Sequence, residues 1–267
     1  MRFAINPDKQ IETRIEASPG AKGLCIACKA EMIPKCGAHR IHHWAHKKRS
    51  SNCDEWREAE TEWHRNWKNQ FPVEWQESVI VDEDDGTKHI ADVKTANNLV
   101  IEFQHSHINQ HDQQKREEFY SKNGGMLWVV DGTRLKTDYQ KFSKNQPNWC
   151  EQPINQFISG WSFLNVTFPK NWRNRPVLVA FDWGKQFHNL VVLCPREKTS
   201  EIGKYYLVPR SEFPARISSL TTLPYTEMFD DRVPDPNLYF RNATATPGRY
   251  EVGRFIKNKW VWTIEED

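Results

Sequence analysis

Residues 89–108 read HIADVKTANNLVIEFQHSHI. Apolar and polar residues alternate on either side of a short Asn-containing turn, the pattern of two half-buried strands joined as a hairpin. Successive side chains on a strand point to opposite faces, so Val100, Glu102 and Gln104 share one face, and Leu99, Ile101 and Phe103 the other. Asp92 shares its face with Ile90 and Lys94. A three-residue loop, 96–98, sets Asp92 directly opposite Glu102. A two-residue Asn97-Asn98 loop pairs Asp92 with Phe103 and turns the carboxylates to opposite sides. The metal site weighed below requires the longer loop or a bulge.

Paired carboxylates on neighbouring strands, with backbone carbonyls nearby, suit Mg2+ or Mn2+, which favour oxygen ligands. Such an ion can activate water and stabilise charge on a phosphate under attack. The plainer alternative is two acids solvated on an open sheet face. The flanking sequence weighs against it. Upstream, Asp54 is placed to N-cap a helix in which Trp56, Ala59, Trp63 and Trp67 recur at helical spacing. Glu60, His64 and Lys68 form a second stripe beside the tryptophans. VEWQESVIV (73–81) and the acidic turn DEDDG precede the hairpin. A second helix is expected over Gln110–Lys122, closed by Gly124 and Gly125, and carries Arg116 and Tyr120 four residues apart. MLWVVD (126–131) follows as a buried strand. The order helix, three strands, helix, strand predicts a mixed sheet, because short turns make hairpins and a helix allows a parallel crossover.

The segment before residue 54 has a different chemistry. The first 57 residues hold eleven Lys/Arg against six Asp/Glu, although the whole chain carries a formal charge of only +2. Nucleic-acid affinity, if present, must therefore come from local patches. Nine of ten histidines lie between His39 and His111, and four of six cysteines between Cys25 and Cys53. CIAC (25–28) offers two thiolates able to grip one tetrahedral ion, with the remaining ligands drawn from RIHHWAH (40–46) or Cys53. The preferred set is Cys25, Cys28, His46 and Cys53, with His43 the competitor for the third place and Cys36 a further candidate. Complete protein coordination makes such a zinc structural. Two buried cysteines in a small core are the alternative. Pairing with a second CxxC, as in an HNH-type nuclease, lacks the second motif and leaves 92–104 unexplained.

Beyond about residue 155, short β-like runs (PVLVAFDW, HNLVVLCP, KYYLVP, GRYEVGRF, KWVWTI) alternate with Pro- and Gly-containing turns and predict a mostly-β domain. The expected organisation is 1–53, 54–150 and 155–267. MRFAINPDKQ has no apolar signal core and no long apolar run follows, so the expectation is a cytoplasmic protein without membrane attachment. Oligomeric state is not legible.

CIAC, HHWAH, Cys53, EAETEWHRNWK, ADVKTANNLVIEFQHSHI, REEFY and MLWVVD, in that order, resemble the competence protein CoiA-like nucleases over about residues 20–131. The resemblance implies a zinc-binding segment fused to an α/β, restriction-endonuclease-like PD-(D/E)xK core. It implies a core site of Asp92, Glu102 and Gln104, the family's acidic motif commonly reading E-x-Q followed by a serine. Glu60, His64 and Lys68 match the leading helix; Arg116 and Tyr120 match the following one. The expected activity is Mg2+- or Mn2+-dependent cleavage of DNA, in processing of or defence against incoming DNA. In this reading Asp92 and Glu102 bind metal, Gln104 orients water, Lys68 neutralises phosphate and His64 assists proton transfer or binds DNA. Glu60 adds a ligand or holds His64. The basic segment, with Arg40, Lys47 and Lys48, tracks the nucleic-acid backbone beside Arg116 and Tyr120. A protein partner is assigned to the C-terminal region. The rival reading is a non-catalytic nucleic-acid-binding or docking protein on a nuclease-derived fold.

Overall fold

The computed structural model describes residues 1–48, 53–54, 56, 60–122, 124–144, 158–184, 187–195, 202–220, 238–241, 249–256 and 259–266. The chain forms two compact units, Met1–Val129 and Val130–Asp267. The expected boundary at 53/54 falls inside the first unit, and the one at 150/155 falls outside the described residues.

The first unit opens with a small antiparallel sheet that the residue pattern did not reveal. Its strands are β1 (Phe3–Ile5), β2 (Arg14–Glu16), β3 (Gly23–Leu24), β4 (Glu31–Lys35) and β5 (His43–His46), in the order β2-β1-β3-β4-β5. Strands of two to five residues are too short for a visible alternation. Trp44 fills the core among Ala4, Ala17, Cys25, Ala27 and Met32. Gly23 permits this packing: a Cβ there would lie 2.8 Å from Ala4 Cβ and 2.9 Å from the Trp44 ring.

The second half of this unit keeps the expected order. Helix α1 (Glu62–Lys68) precedes β6 (Gln76–Val81), β7 (Lys88–Lys94) and β8 (Val100–Gln104); α2 (Gln110–Lys122) then leads to β9 (Met126–Asp131). The strand order is β6-β7-β8-β9. Hairpins join the first three, and the helical crossover α2 joins β8 to its neighbour β9. The start of α1 corrects the expected cap. Thr61, not Asp54, caps the helix: its hydroxyl accepts from the His64 N–H, and the His64 ring accepts from the Thr61 N–H. That reciprocal pair is a capping box. Asp54 bonds elsewhere, and Ala59 of the tryptophan stripe lies outside the described residues.

The β7–β8 loop has the longer of the two forms considered. Val93 faces Ile101 and Lys94 faces Val100, while the Thr95 N–H reaches the Leu99 carbonyl at 2.9 Å, leaving 96–98 as the loop. Asn98 takes φ 65°, a left-handed conformation that Asn tolerates. Gly124 packs onto this turn, where a Cβ would meet the Asn98 carbonyl oxygen at 2.6 Å.

The second unit is mostly β. Among its described residues, β10 (Ile158–Phe163), β11 (Leu178–Asp182), β12 (Asn189–Leu193) and β13 (Ile202–Pro209) stand in the antiparallel order β10-β13-β12-β11. A separate antiparallel sheet holds β14 (Leu238–Arg241), β15 (Arg249–Ile256) and β16 (Lys259–Glu266). Helices α3 (Lys136–Lys144), α4 (Leu164–Thr167) and α5 (Phe213–Ser219) complete it. Phe142, Phe168, Phe181, Trp183, Phe187 and Tyr205 supply the core of the four-stranded sheet's side. Among the described residues, no helix is long and apolar enough to cross a membrane.

Candidate active site and metal centre

The cysteine/histidine cluster is built on the small sheet. After β3 the chain turns tightly: the Cys25 N–H reaches the Ala30 carbonyl at 2.8 Å, the Lys29 N–H the Cys25 carbonyl at 3.0 Å, and Lys29 takes φ 59°. This turn brings Cys25 and Cys28 toward His46 at the end of β5 and toward Cys53. The ligand atoms of these four residues all lie within 4.8 Å of one another. Cys25 and Cys53 sulfurs are 3.6 Å apart, and Cys28 Sγ is 3.3 Å from His46 Nε2. A tetrahedral zinc with bonds of about 2.3 Å to sulfur sets its thiolates about 3.8 Å apart, so the group can bind zinc. His43 stands outside it, with Nδ1 at 2.8 Å from the Ile41 carbonyl. Cys36 packs against the small core and is likewise not in the group.

The acidic pair interrupts the sheet. The pairing of β6 with β7 passes from Gln76–Val93 to Ser78–Ala91, leaving out Glu77 and Asp92, and Glu77 takes φ 49°. On the other side the β7–β8 ladder ends at Val93–Ile101. Side chains supply bonds here: the Asp92 N–H donates to Glu102 Oε1 at 3.2 Å, and the Phe103 N–H donates to Asp92 Oδ2 at 3.0 Å. The two carboxylates are thus cross-tied to each other's strands. All five residues of β8 are buried, so the solvated open-face alternative fails; Asp92 keeps a side-chain exposure of 25% and Glu102 only 7%.

A cavity opens over the pair. Its walls include five carboxylates (Asp54, Glu60, Glu77, Asp92 and Glu102) against the cations of Lys68 and Arg116. Lys68, from the last turn of α1, is buried with Nζ at 2.9 Å from Glu60, 3.2 Å from Glu77 and 3.8 Å from Asp92. Burial opposes its charge, but Glu77, Asp92 and Glu60 outweigh that and hold its pKa above the ordinary lysine value. This ammonium therefore remains protonated at neutral pH. Burial also works against ionisation of Glu60, yet the hydrogen bonds from Arg65 and the charge of Lys68 bring its carboxyl down to about 2. Glu77 is lowered in the same way, with Lys68 the chief opponent of burial. Its carboxylate further accepts the Arg2 and Phe3 N–H groups at 2.6 and 2.9 Å, tying β1 to the cavity.

Glu102 behaves oppositely. Burial, reinforced by the Asp92 charge, pushes it up to about 8, with Arg116 opposing. Arg116 Nη1 lies 3.3 Å from Glu102 Oε2, and its Nη2 donates to the Trp56 carbonyl at 2.6 Å. The cavity thus holds an excess of carboxylate oxygens and a buried acid whose ionisation is opposed by burial and by Asp92 more strongly than Arg116 favours it. This oxygen donor set fits a hard divalent ion.

The structure brings Glu60, His64, Lys68, Asp92, Glu102, Arg116 and Tyr120 together around one cavity. It gives several of them different partners from those expected. His64 uses Nε2 on the Phe103 carbonyl at 2.8 Å and Nδ1 on Thr61, so both ring nitrogens are engaged. Glu60 bonds Arg65 and Lys68. Arg116 and Tyr120 are buried in the cavity wall. Gln104 is buried, its amide donating to the Ser106 carbonyl at 3.0 Å, and it is not among the residues lining the cavity. Arg40, Lys47 and Lys48 are exposed on the first segment, with Lys47 paired to Glu31 at 2.8 Å. Residue patterns missed Glu77, Asp54 and His89. Asp54 accepts from His89 Nδ1 at 2.9 Å and from the Ile90 N–H at 3.0 Å, and Trp56 stacks flat on His89. An acid at the polar start of a strand segment whose second half is apolar (Glu77 in QESVIV) was the available signal.

Two family models match. One described as competence protein CoiA, nuclease-like domain, covers residues 85–216; one described as competence protein CoiA, N-terminal domain, covers residues 11–55. The second takes in all four residues of the metal-binding group. The first begins before β7 and continues into α5, so the family pattern runs well past residue 131. No curated protein and no solved structure matches the chain.

Proposed function

The chain belongs to the competence protein CoiA family, and on that premise we propose that it is a divalent-metal-dependent nuclease acting on DNA, on a PD-(D/E)xK-type core. The observation that carries this reading is the cross-tied Asp92–Glu102 pair at the floor of a cavity with more carboxylates than cations. Asp92 and Glu102 would hold Mg2+ or Mn2+, which when bound activates water and stabilises charge on the attacked phosphate.

The chain's own residues have separate tasks. Many nucleases of this type carry a lysine two residues after the glutamate; here Lys68 brings an ammonium to Asp92 from α1 instead. A lysine that stays protonated stabilises negative charge and does not act as base. His64 positions β8 through the Phe103 carbonyl, so we assign it no proton transfer. Gln104 shapes the end of β8 through Ser106. The cysteine/histidine group holds zinc as a closed structural site, and Arg40, Lys47 and Lys48 lead the DNA backbone toward the cavity.

One observation favours the non-catalytic alternative: the Arg116 guanidinium already lies against Glu102. The separating experiment incubates purified protein with linear and circular DNA in Mg2+, Mn2+ or chelator. Metal-dependent cleavage that vanishes in Asp92→Ala supports the nuclease. DNA binding without cleavage in either metal overturns it in favour of the binding protein.

A further inference from the structure

We propose that Cys53, Asp54 and Trp56 form a strap by which the cysteine/histidine cluster holds the acidic pair in its working geometry, with Asp54 the positioning residue. The inference rests on Asp92 and Glu102 being the catalytic metal site proposed above.

The contacts of these three residues run from the metal-binding group to β7 and α2. Cys53 places its sulfur 3.6 Å from Cys25, inside the metal-binding group. The next residue, Asp54, has a side chain only 3% exposed. Its Oδ1 accepts from the Trp56 N–H and from His89 Nδ1, each at 2.9 Å, and its Oδ2 accepts from the Ile90 N–H at 3.0 Å. His89 and Ile90 belong to β7, three and two residues before Asp92. The Trp56 ring stacks on the His89 ring with centroids 3.2 Å apart, and Phe119 of α2 meets His89 edge-on at 4.5 Å. Finally, the Trp56 carbonyl accepts from Arg116 Nη2, whose Nη1 reaches Glu102. One short segment therefore grips β7 beside Asp92 and also fixes the arginine that sets Glu102.

A carboxylate bonding two backbone N–H groups and an imidazole cannot be replaced by solvent when it is this buried, so its loss frees the strand it holds. Outer partners of metal ligands typically matter by about 10- to 100-fold in metal affinity. Loss of the cluster metal releases Cys53 and, with it, one end of the strap. The geometry thus makes the acidic pair dependent on the integrity of a metal group with which it shares no ligand.

The test uses the full chain with its cluster metal. Amide hydrogen exchange over 89–104 and Mn2+ binding by calorimetry are measured for the parent, Asp54→Asn and Cys53→Ser. Asp54→Asn should retain the cluster metal, exchange its Asp92 and Phe103 amides at least about tenfold faster, and bind Mn2+ about tenfold more weakly. Cys53→Ser should lose the cluster metal and show both other changes. If Asp54→Asn fails to fold, the parent stripped of cluster metal carries the exchange measurement. Parental exchange in both Asp54→Asn and the stripped parent overturns the strap, and so does faster exchange with parental Mn2+ affinity. A parent that binds no Mn2+ but whose exchange responds keeps the strap and sinks the metal-site reading instead.

Discussion

The cysteine/histidine cluster and the acidic cavity lie in the same compact unit but draw on the chain differently. The cluster takes its ligands from Cys25 to Cys53, on tight turns and a strand end, and each ligand is of a residue type that rarely serves otherwise in such a group. The cavity gathers Asp54, Glu60, Lys68, Glu77, Asp92, Glu102 and Arg116 from a loop, two helices and three strands, and through Glu77 reaches β1. The cluster resembles a staple for a segment with a small core around Trp44. The cavity resembles a charge network whose members hold one another's ionisation. Soft ligands announce themselves by type; buried acids acquire meaning only from what surrounds them.

Mutation of each region should separate the two. The largest effect is expected from Asp92→Ala or Glu102→Ala: metal-dependent cleavage should fall to the level of buffer while cluster metal stays at the parental content. Retained cleavage by either folded variant would remove the acidic pair from the chemistry. Cys25→Ser should do the reverse at first, losing cluster metal and stability together, because metal binding there is folding energy. Metal analysis beside a denaturation curve checks it, and a variant with parental stability would mean the segment folds on Trp44 alone.

Next in size is Lys68→Met. Removing one partner of a buried ion network leaves Glu77 without its lysine and Glu60 with Arg65 alone, a loss of about 3–5 kcal/mol. A change below about 1 kcal/mol in denaturant unfolding would contradict the network. The acid limb of stability should show the same carboxylates. Glu60 has its folded pKa lowered to about 2, so its contribution is complete above the ordinary glutamate range and is lost as pH falls from there toward about 2. Glu60→Gln should flatten this limb, and an unchanged limb would refute the assignment. The smallest effect belongs to Lys47→Gln. The exposed pair with Glu31 should contribute nothing measurable to stability. If Lys47 contacts the DNA backbone, the variant should reduce the salt dependence of binding by about one ion.

The hairpin was legible because its chemistry repeats every second residue. The loop alternatives for 89–108 differ by one residue, and the observed 96–98 loop puts Asp92 across from Glu102. The β runs of the second unit were legible as short apolar stretches between Pro- and Gly-containing turns. The five short strands before residue 47 were not, since none is long enough to show a period. The start of α1 was misjudged because Asp54 and Thr61 are both good caps by type. Only the structure shows that Asp54 is occupied by His89 and Ile90 while Thr61 pairs with His64.

By itself the amino-acid sequence determined the family, the order of elements around the acidic hairpin and the cysteines and histidines from which one metal group is drawn, because local spacing and residue type decide these; the fold chose His46 over His43 and left Cys36 out. Tertiary structure alone decided what each polar residue does. His64 became a clamp between a helix cap and a strand because the Phe103 carbonyl lies 2.8 Å away. Lys68 became a buried cation because three carboxylates from distant segments converge on it. Arg116 and Tyr120 turned inward because α2 packs their face on the cavity. Ionisation and hydrogen bonding depend on distance and burial, and both come from folding rather than from sequence position.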